Sequence, residues 1–143
     1  MSLALTLTPC AGEAELSDPE VCGEFAEAMQ TIASKPHVAP WRGYIARSGM
    51  VPVGFGSFKG EPDDGTVEIS YLTFPHHTGT GVATCVAAEM IVIARGAGVH
   101  SVIAHTLCDT NASTAVLVKN GFQRDGVGHD DDVGEVWRWQ VDL

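Results

Sequence analysis

One segment of the sequence, Glu68 to Thr84, carries residue types at a spacing that could perform chemistry. It reads EISYLTFPHHTGTGVAT, so an alternating stretch ends in Phe-Pro, a loop with two glycines follows, and a run of small and apolar residues begins. We interpret this pattern as a strand, a loop and the start of a helix. The first N–H groups of a helix have no partner within it, so such a junction can bind an anion.

The glycines in this loop favour phosphate binding. Gly79 and Gly81 have no Cβ, so their backbone can approach a phosphate closely. We expect a pyrophosphate cradle formed by the amides of Thr78, Gly79, Thr80, Gly81, Val82 and Ala83. A plain strand-to-helix turn is the alternative. A dinucleotide-binding motif would place a third glycine at Thr84 and an acidic residue about 20 positions later, and the sequence has neither.

Composition limits the possible classes of protein. The chain has 143 residues, of which 45% are apolar and 18% charged, so we expect a single domain over residues 1–143. Its net charge is −10 and it has no basic cluster, which excludes a nucleic-acid-binding protein. The longest apolar run, 86–94, is far shorter than the roughly 20 residues of a membrane span. No signal peptide is recognisable.

Four cysteines are scattered along the chain, and none forms a C-x-x-C pair. No His/Cys spacing resembles a zinc site, so we expect no metal. We interpret the thiols as reduced and the protein as cytoplasmic.

The elements that must position the loop follow from the periodicity of the apolar residues. The predicted strands are 3–8, 41–47, 50–58, 67–74, 99–107, 122–128 and 135–142. The predicted helices are 17–34, 82–96 and 111–120, and 35–40 is predicted to be a loop. This order predicts an α/β domain whose mixed sheet is antiparallel at first and contains one parallel strand–helix–strand crossover, with flanking helices.

Several motifs occur in order along these elements. They are Glu68-Ile69-Ser70-Tyr71, Pro75, the loop from Thr78 to Thr84, Asn111-Ala112-Ser113 and Gly121-Phe122. With them the chain resembles the GCN5-related N-acetyltransferase (GNAT) superfamily over about residues 41–143, and it looks closest to the ribosomal-protein N-terminal acetyltransferases. The resemblance implies a single-domain GNAT fold. It also implies acetyl transfer from acetyl-CoA to a primary amine, either a small molecule or a peptide N-terminus.

The resemblance also implies where the cofactor lies. Backbone groups of Leu72 and Thr73 would hold the pantetheine arm, while the fourth and fifth strands splay apart to admit the thioester. The loop from Thr78 to Thr84 would hold the pyrophosphate, and Asn111 would hydrogen-bond the pantetheine or orient the cofactor. The chain departs from the family at Thr78, where Arg or Gln is usual, and near Val118, where many members have a tyrosine.

Direct acetyl transfer requires a neutral amine and benefits from a donor to the leaving thiolate. Glu68 is the candidate base, acting through a water, and its alternative is a solvated or structural carboxylate. Ser113 is the candidate thiolate donor, with a first-turn helix serine as the alternative, and Thr114 could substitute for it. His105 is the backup base or a structural histidine, whereas His76 and His77 are expected to face solvent.

The acceptor and the quaternary structure leave alternatives open. Glu20, Glu24 and Glu27 could favour a cationic amine, or could be the solvated face of an amphipathic helix. The strand containing Trp137 and Trp139 could mediate a homodimer or belong to the core. A non-catalytic acyl-CoA-binding module on the same fold is the alternative function.

Overall fold

The computed structural model describes residues 5–10, 18–34 and 38–143. Seven strands are present in this part of the chain: β1 Thr6–Pro9, β2 Gly43–Ser48, β3 Val51–Phe58, β4 Thr66–Thr73, β5 Ser101–Leu107, β6 Gln123–Asp130 and β7 Gly134–Asp142. The α-helices are α1 Pro19–Cys22, α2 Ala26–Ser34, α3 Val82–Gly96 and α4 Ala112–Lys119, and 3-10 turns occupy Gly23–Phe25 and Pro75–His77. None of the helices described is long and apolar enough to cross a membrane.

The seven strands form one sheet in the order β1-β2-β3-β4-β5-β7-β6. Neighbouring strands are antiparallel except β4 and β5, which are parallel and are connected through α3. A parallel pair requires a crossover connection, and the 15-residue helix α3 provides it. The predicted mixed sheet with one parallel crossover is therefore confirmed.

Each face of the sheet carries its own hydrophobic cluster. Helix α3 packs on β3 and β4 and contributes Val86, Met90 and Ala94 to the larger cluster. The opposite face carries a smaller cluster that includes Cys22 of α1 and Met29 of α2. Because side chains alternate along a strand, successive residues of β4 belong to opposite faces.

Two glycines of β3 allow α3 to approach the sheet closely. A Cβ on Gly56 would lie 2.5 Å from Met90 Sδ, and a Cβ on Gly54 would lie 2.7 Å from the carbonyl oxygen of Leu72 and 2.8 Å from Val82 Cγ1. Cβ atoms are essentially never found this close to a backbone oxygen, so glycine at position 54 allows the start of α3 to sit close against β3 and β4.

The single helix predicted for 17–34 is wrong because a 3-10 turn at Gly23–Phe25 separates α1 from α2. Gly23 has φ +60°, which glycine adopts without penalty, and a Cβ there would lie 2.6 Å from Pro75 Cγ. The chain therefore turns at this glycine where α1 packs against the loop after β4.

The predicted start of that helix is only partly within the described residues. The carbonyl of Asp18 accepts from the N–H groups of Val21 and Cys22, and its carboxylate accepts from the N–H of Glu20. Asp18 is therefore the capping residue. The predicted Ser17, the beginning of the first strand at 3–4 and the loop residues 35–37 lie outside the described residues.

Candidate active site

A cleft opens between the parallel strands. They pair only over Thr66–Glu68 and Ser101–Ile103, although β4 continues along β3 to Thr73 and β5 continues along β7 to Leu107. We call the last pair, Glu68 with Ile103, the fork, and the gap between 69–73 and 104–107 the cleft. The predicted separation of the fourth and fifth strands is present.

Alternate residues of β4 direct their backbone groups into this cleft. The N–H of Lys59 donates to the carbonyl of Glu68 at 2.9 Å, and the N–H of Phe74 donates to the carbonyl of Val53 at 2.9 Å. Even-numbered residues of β4 are therefore hydrogen-bonded to β3. Because the N–H and C=O of one strand residue point to the same side, the odd-numbered residues beyond the fork face the cleft.

This alternation separates the two residues predicted to hold the pantetheine. Thr73 directs its backbone groups into the cleft, whereas Leu72 directs them toward β3. Ile69 and Tyr71 share the orientation of Thr73, and the sequence analysis did not single them out as backbone ligands. Strands β3 and β4 were predicted, but only the register of their pairing shows which residues face the open side.

The loop before α3 leaves backbone donors free. Gly81 is the residue before the helix, with φ +87°, and no side chain caps α3. The first helical bond within α3 runs from Cys85 N to the carbonyl of Gly81. The amides of Val82, Ala83 and Thr84 thus have no partner among the described residues. They combine with the helix dipole into an anion-binding position.

The two glycines of the loop have open surroundings. Gly79 and Gly81 have φ values of +75° and +87°, and a Cβ on either would meet nothing within 4 Å. Thr78 and Thr80 are exposed, and Thr80 uses its hydroxyl to donate to the carbonyl of His77. The positive φ angles, and not close neighbours, therefore favour glycine at these two positions. The hydrogen bond from Thr80 to His77 lies within the loop and stabilises it.

Helix α4 is joined to the first turn of α3. Asn120 Nδ2 donates to the carbonyl of Thr84 at 3.2 Å and to the carbonyl of Val116 at 3.0 Å. This contact fixes the beginning of α3, and with it the free amides, relative to α4.

Asn111 has a structural function at the beginning of α4. Its side-chain oxygen accepts from the N–H of Thr114 at 3.1 Å, and the Thr114 hydroxyl is 2.9 Å from both the N and the carbonyl O of Asn111. This capping box leaves Asn111 Nδ2 without a partner among the described residues. Thr114, considered as a substitute for Ser113, is buried and already used.

Ser113 is hydrogen-bonded to Tyr71, a residue that was not predicted to have a catalytic function. Tyr71 Oη lies 3.0 Å from the carbonyl oxygen of Ser113 and 3.1 Å from its hydroxyl. Burial raises the pKa of Tyr71, and the hydrogen bond to Ser113 opposes this in part. The phenol therefore remains protonated at neutral pH and can donate. Its place in the Glu-Ile-x-Tyr motif was the available signal.

Glu68 lies on the opposite face of β4 and has two basic neighbours. Its Oε2 is 2.9 Å from His105 Nδ1 and 3.1 Å from Lys59 Nζ. The side chains of Glu68 and His105 are 23% and 27% exposed, so both are accessible from solvent. The structure thus brings together the two residues that the sequence presented as alternative bases.

A shallow depression of about 300 Å³ lies on the other side of the loop. It is lined by Ser48, Val51, Val53, His77, Thr80 and Val82. This depression borders β3 and is separate from the cleft between β4 and β5. The unpaired backbone edge of β4 faces the cleft and not this depression.

Among the described parts of the chain, the remaining residues singled out from the sequence make no contact that points to a function. Glu20, Glu24, Glu27 and His76 are exposed, and His77 is half-buried. None of the four cysteines forms a disulfide bond. No group of three or more His, Cys, Asp or Glu residues in the described ranges is arranged to hold a metal ion.

Comparison with known proteins identifies the family of the chain. The family described as "Acetyltransferase (GNAT) domain" matches residues 12–123. The chain therefore belongs to the GNAT acetyltransferase family. Its class of activity is acetyl-CoA-dependent N-acetyl transfer, in accordance with the sequence motifs.

Solved structures show the same fold at low sequence identity. An IAA acetyltransferase from Bacillus cereus has a TM-score of 0.73 at 16% identity, with 99% of this chain and 100% of that chain covered. The ribosomal L7/L12 alpha-N-protein acetyltransferase RimL has a TM-score of 0.73 at 19% identity, with coverage of 99% and 92%. A Bacillus subtilis acetyltransferase in complex with CoA has a TM-score of 0.73 at 17% identity, with coverage of 99% and 99%. No curated protein sequence matches the chain significantly.

Proposed function

We propose that this protein acetylates a primary amine by direct attack on acetyl-CoA bound in the cleft, the amine being a small molecule or a peptide N-terminus. One observation carries the proposal: two hydrogen-bonded pairs lie on opposite faces of β4, at and just beyond the fork. Glu68 with His105 forms the basic pair, and Ser113 with Tyr71 forms the donor pair.

The described residues fit the cofactor. The amides of Val82, Ala83 and Thr84 supply the donors that a pyrophosphate requires. The open edge of β4, ending at Thr73, offers alternating N–H and C=O groups to the amides of a pantetheine arm, as it would to an added strand. When bound there, acetyl-CoA supplies the acetyl thioester. The related Bacillus subtilis structure contains CoA, which supports the same assignment.

The two proton transfers of the reaction take place on opposite faces of β4: the amine loses its proton on one face, and the sulfur receives a proton on the other. The Glu68–His105 pair accepts the proton that an ammonium must lose before its nitrogen can attack the thioester carbon. On the other face the Ser113 hydroxyl, held by Tyr71, donates to the sulfur as the C–S bond breaks. The nitrogen loses a second proton as the amide forms, and the thiolate gains one. Acetylation of an ammonium therefore releases one proton to solvent.

The acceptor is proposed to be cationic. Glu20, Glu24 and Glu27 are exposed, and α1 and α2 cover the sheet face that carries Glu68. The acidic side chains would attract an amine toward this face.

A homodimer through the strand of Trp137 and Trp139 stays a prediction. The burial of Trp139, which is 8% exposed, favours the core alternative.

An amine screen with acetyl-CoA tests the proposal, with Glu68→Gln and Ser113→Ala as variants and Glu61→Gln as the control at an exposed loop position. We expect turnover to fall about 100-fold or more in the two site variants, in the range of general base and oxyanion donor losses. Acetyl-CoA binding should persist in all three.

Two results of this screen would contradict the proposal. If the native protein binds acetyl-CoA but acetylates no amine, the non-catalytic module would be the correct function. If Glu68→Gln and Ser113→Ala acetylate at the native rate, the chemistry does not take place between the two pairs.

A further inference from the structure

We infer that His105 Nε2 is the atom that accepts the proton from the amine, that Glu68 is a positioning residue, and that glycine at 128 provides the space for the imidazole. This inference rests on the proposed acetyl transfer and assigns its base.

One oxygen of the Glu68 carboxylate, Oε2, already has two hydrogen-bonding partners. This oxygen accepts from Lys59 Nζ at 3.1 Å and lies 2.9 Å from His105 Nδ1. An oxygen that holds two donors has little room for a third proton, whereas a carboxylate on Nδ1 fixes the orientation and the tautomer of an imidazole. The arrangement is that of a base and the group that orients it.

The position of His105 relative to the fork supports this function. Ile103 is the last residue of β5 that pairs with β4, and His105 follows it by two residues on the same sheet face. The imidazole therefore lies beyond the fork, where the strands have separated, and reaches back to Glu68 at the fork itself. Nδ1 thus faces Glu68 on β4, and Nε2 lies on the side of the ring toward Gly128 of β6.

The second ring nitrogen is free to react. With Nδ1–H donating to Glu68, Nε2 carries the lone pair. It makes no hydrogen bond with the described part of the chain, where the one buried side-chain polar atom without a partner is Arg42 Nε. Nε2 is therefore reached by solvent and is available to a substrate.

Gly128 of β6 leaves the room that this nitrogen needs. A Cβ at this position would lie 3.1 Å from His105 Nε2 and 3.2 Å from Cδ2. The backbone of Gly128 is outside the left-handed region, so the backbone itself does not require glycine. The nearby imidazole is the group that a side chain at 128 would displace.

Several charged groups surround the imidazole and belong to its electrostatic environment. Lys59 follows β3 and contacts Glu68, and Arg138 of β7 is the backbone partner of His105. Arg138 is itself bonded to the carboxylate of Asp125 on β6. These groups pair with one another, which leaves Glu68 as the carboxylate in contact with the ring.

The proton of the ammonium is transferred to His105 Nε2. An N–H bond of the ammonium breaks, its electron pair stays on the amine nitrogen, and the proton binds to His105 Nε2. The imidazolium is stabilised by Glu68 Oε2 across Nδ1–H, and the neutral amine attacks the thioester. His105 then returns the proton to solvent, from which Nε2 is accessible.

The test measures kcat, KM and their pH dependence with an amine from the screen, for His105→Ala, Glu68→Gln and Gly128→Ala. The control is Gly96→Ala, since a Cβ at 96 meets nothing within 4 Å. We expect His105→Ala to lose about 100-fold or more in kcat, in the range for a general base. Its acidic limb should disappear from the pH profile, and added imidazole should restore turnover.

Glu68→Gln should lower turnover as stated for the amine screen, and Gly128→Ala should lower kcat less than His105→Ala does. Both variants should keep their affinity for acetyl-CoA and show no rescue by imidazole. Retained activity in His105→Ala, together with an inactive Glu68→Gln, would overturn the inference and make Glu68 the base. If Gly128→Ala does not fold, imidazole rescue of His105→Ala still decides between the two. A native protein that acetylates no amine would instead refute the proposed function on which the inference rests.

Discussion

At the scale of the residue, the two ends of the Asn111 side-chain amide have different environments. The oxygen caps α4 by accepting from the N–H of Thr114, whereas Nδ2 has no partner among the residues described. The predicted contact with pantetheine would therefore have to use Nδ2. Substitutions that treat the two halves of the amide differently can separate the structural role from the cofactor role.

We predict that Asn111→Asp keeps the stability of the native protein, because the carboxylate retains the acceptor and suits a helix N-terminus. Asn111→Ala should lose about 1 kcal/mol in the free energy of unfolding. If Nδ2 binds pantetheine, both variants should bind acetyl-CoA more weakly than the native protein does. Urea denaturation and calorimetry measure the two effects. Native affinity in Asn111→Asp would remove Nδ2 from the cofactor site.

Sequence motifs singled out Glu68 and Ser113 as candidates, but they could not identify the partners of these side chains. Tyr71 reaches Ser113 across 42 positions in the chain, and His105 reaches Glu68 across 37. Such contacts depend on the register of β4 against β5 and on the position of α4. Alternation in a single strand gives the face of a side chain but not its neighbour on another element.

At the scale of the element, the position of α3 controls where the free amides lie. The glycines of β3 set its distance from the sheet, and Asn120 joins its first turn to α4. The strands, α3 and α4 were predictable because their patterns are strongly periodic. The break after α1 was not, because it depends on Gly23 meeting Pro75, a contact between distant parts of the chain.

We predict that Gly54→Ala lowers the free energy of unfolding by about 1–3 kcal/mol, the usual cost of overpacking. The new Cβ would contact the carbonyl of Leu72 and the side chain of Val82, so α3 must shift and acetyl-CoA binding should weaken. Gly96→Ala, in open space near the end of the same helix, should be neutral or stabilising by up to about 1 kcal/mol. Equal stability of the two variants would contradict this account of how α3 is held.

At the scale of the whole molecule, the sheet separates two hydrophobic clusters, and the two tyrosines of the chain lie within this packing. Burial raises the pKa of both phenols. The nearby Arg42 opposes this at Tyr44, and the hydrogen bond of Ser113 opposes it at Tyr71. In the unfolded chain both phenols would return to the ordinary value of about 10. The free energy of unfolding therefore depends on pH in the alkaline range through both tyrosines.

The sign of this linkage gives a prediction. Below about pH 10 the phenols are protonated in both states, and the stability they contribute is fully present. As the pH rises further the unfolded phenols ionise first, so the urea midpoint should fall. The double variant Tyr44→Phe/Tyr71→Phe should be less stable but should show a flatter pH dependence. Phenolate absorbance that appears near pH 10 while the protein is still folded would contradict the prediction.

Binding of acetyl-CoA to the loop before α3 tests the central claim most directly. Calorimetry should compare the native protein with Gly81→Trp and with Gly98→Trp, the control at the other end of α3. The two glycines have φ +87° and +84°, and both face open space, so the backbone strain is matched. We predict that binding persists in the native protein and in Gly98→Trp, and is lost in Gly81→Trp. Equal binding by both variants, or none by the native protein, would contradict the account.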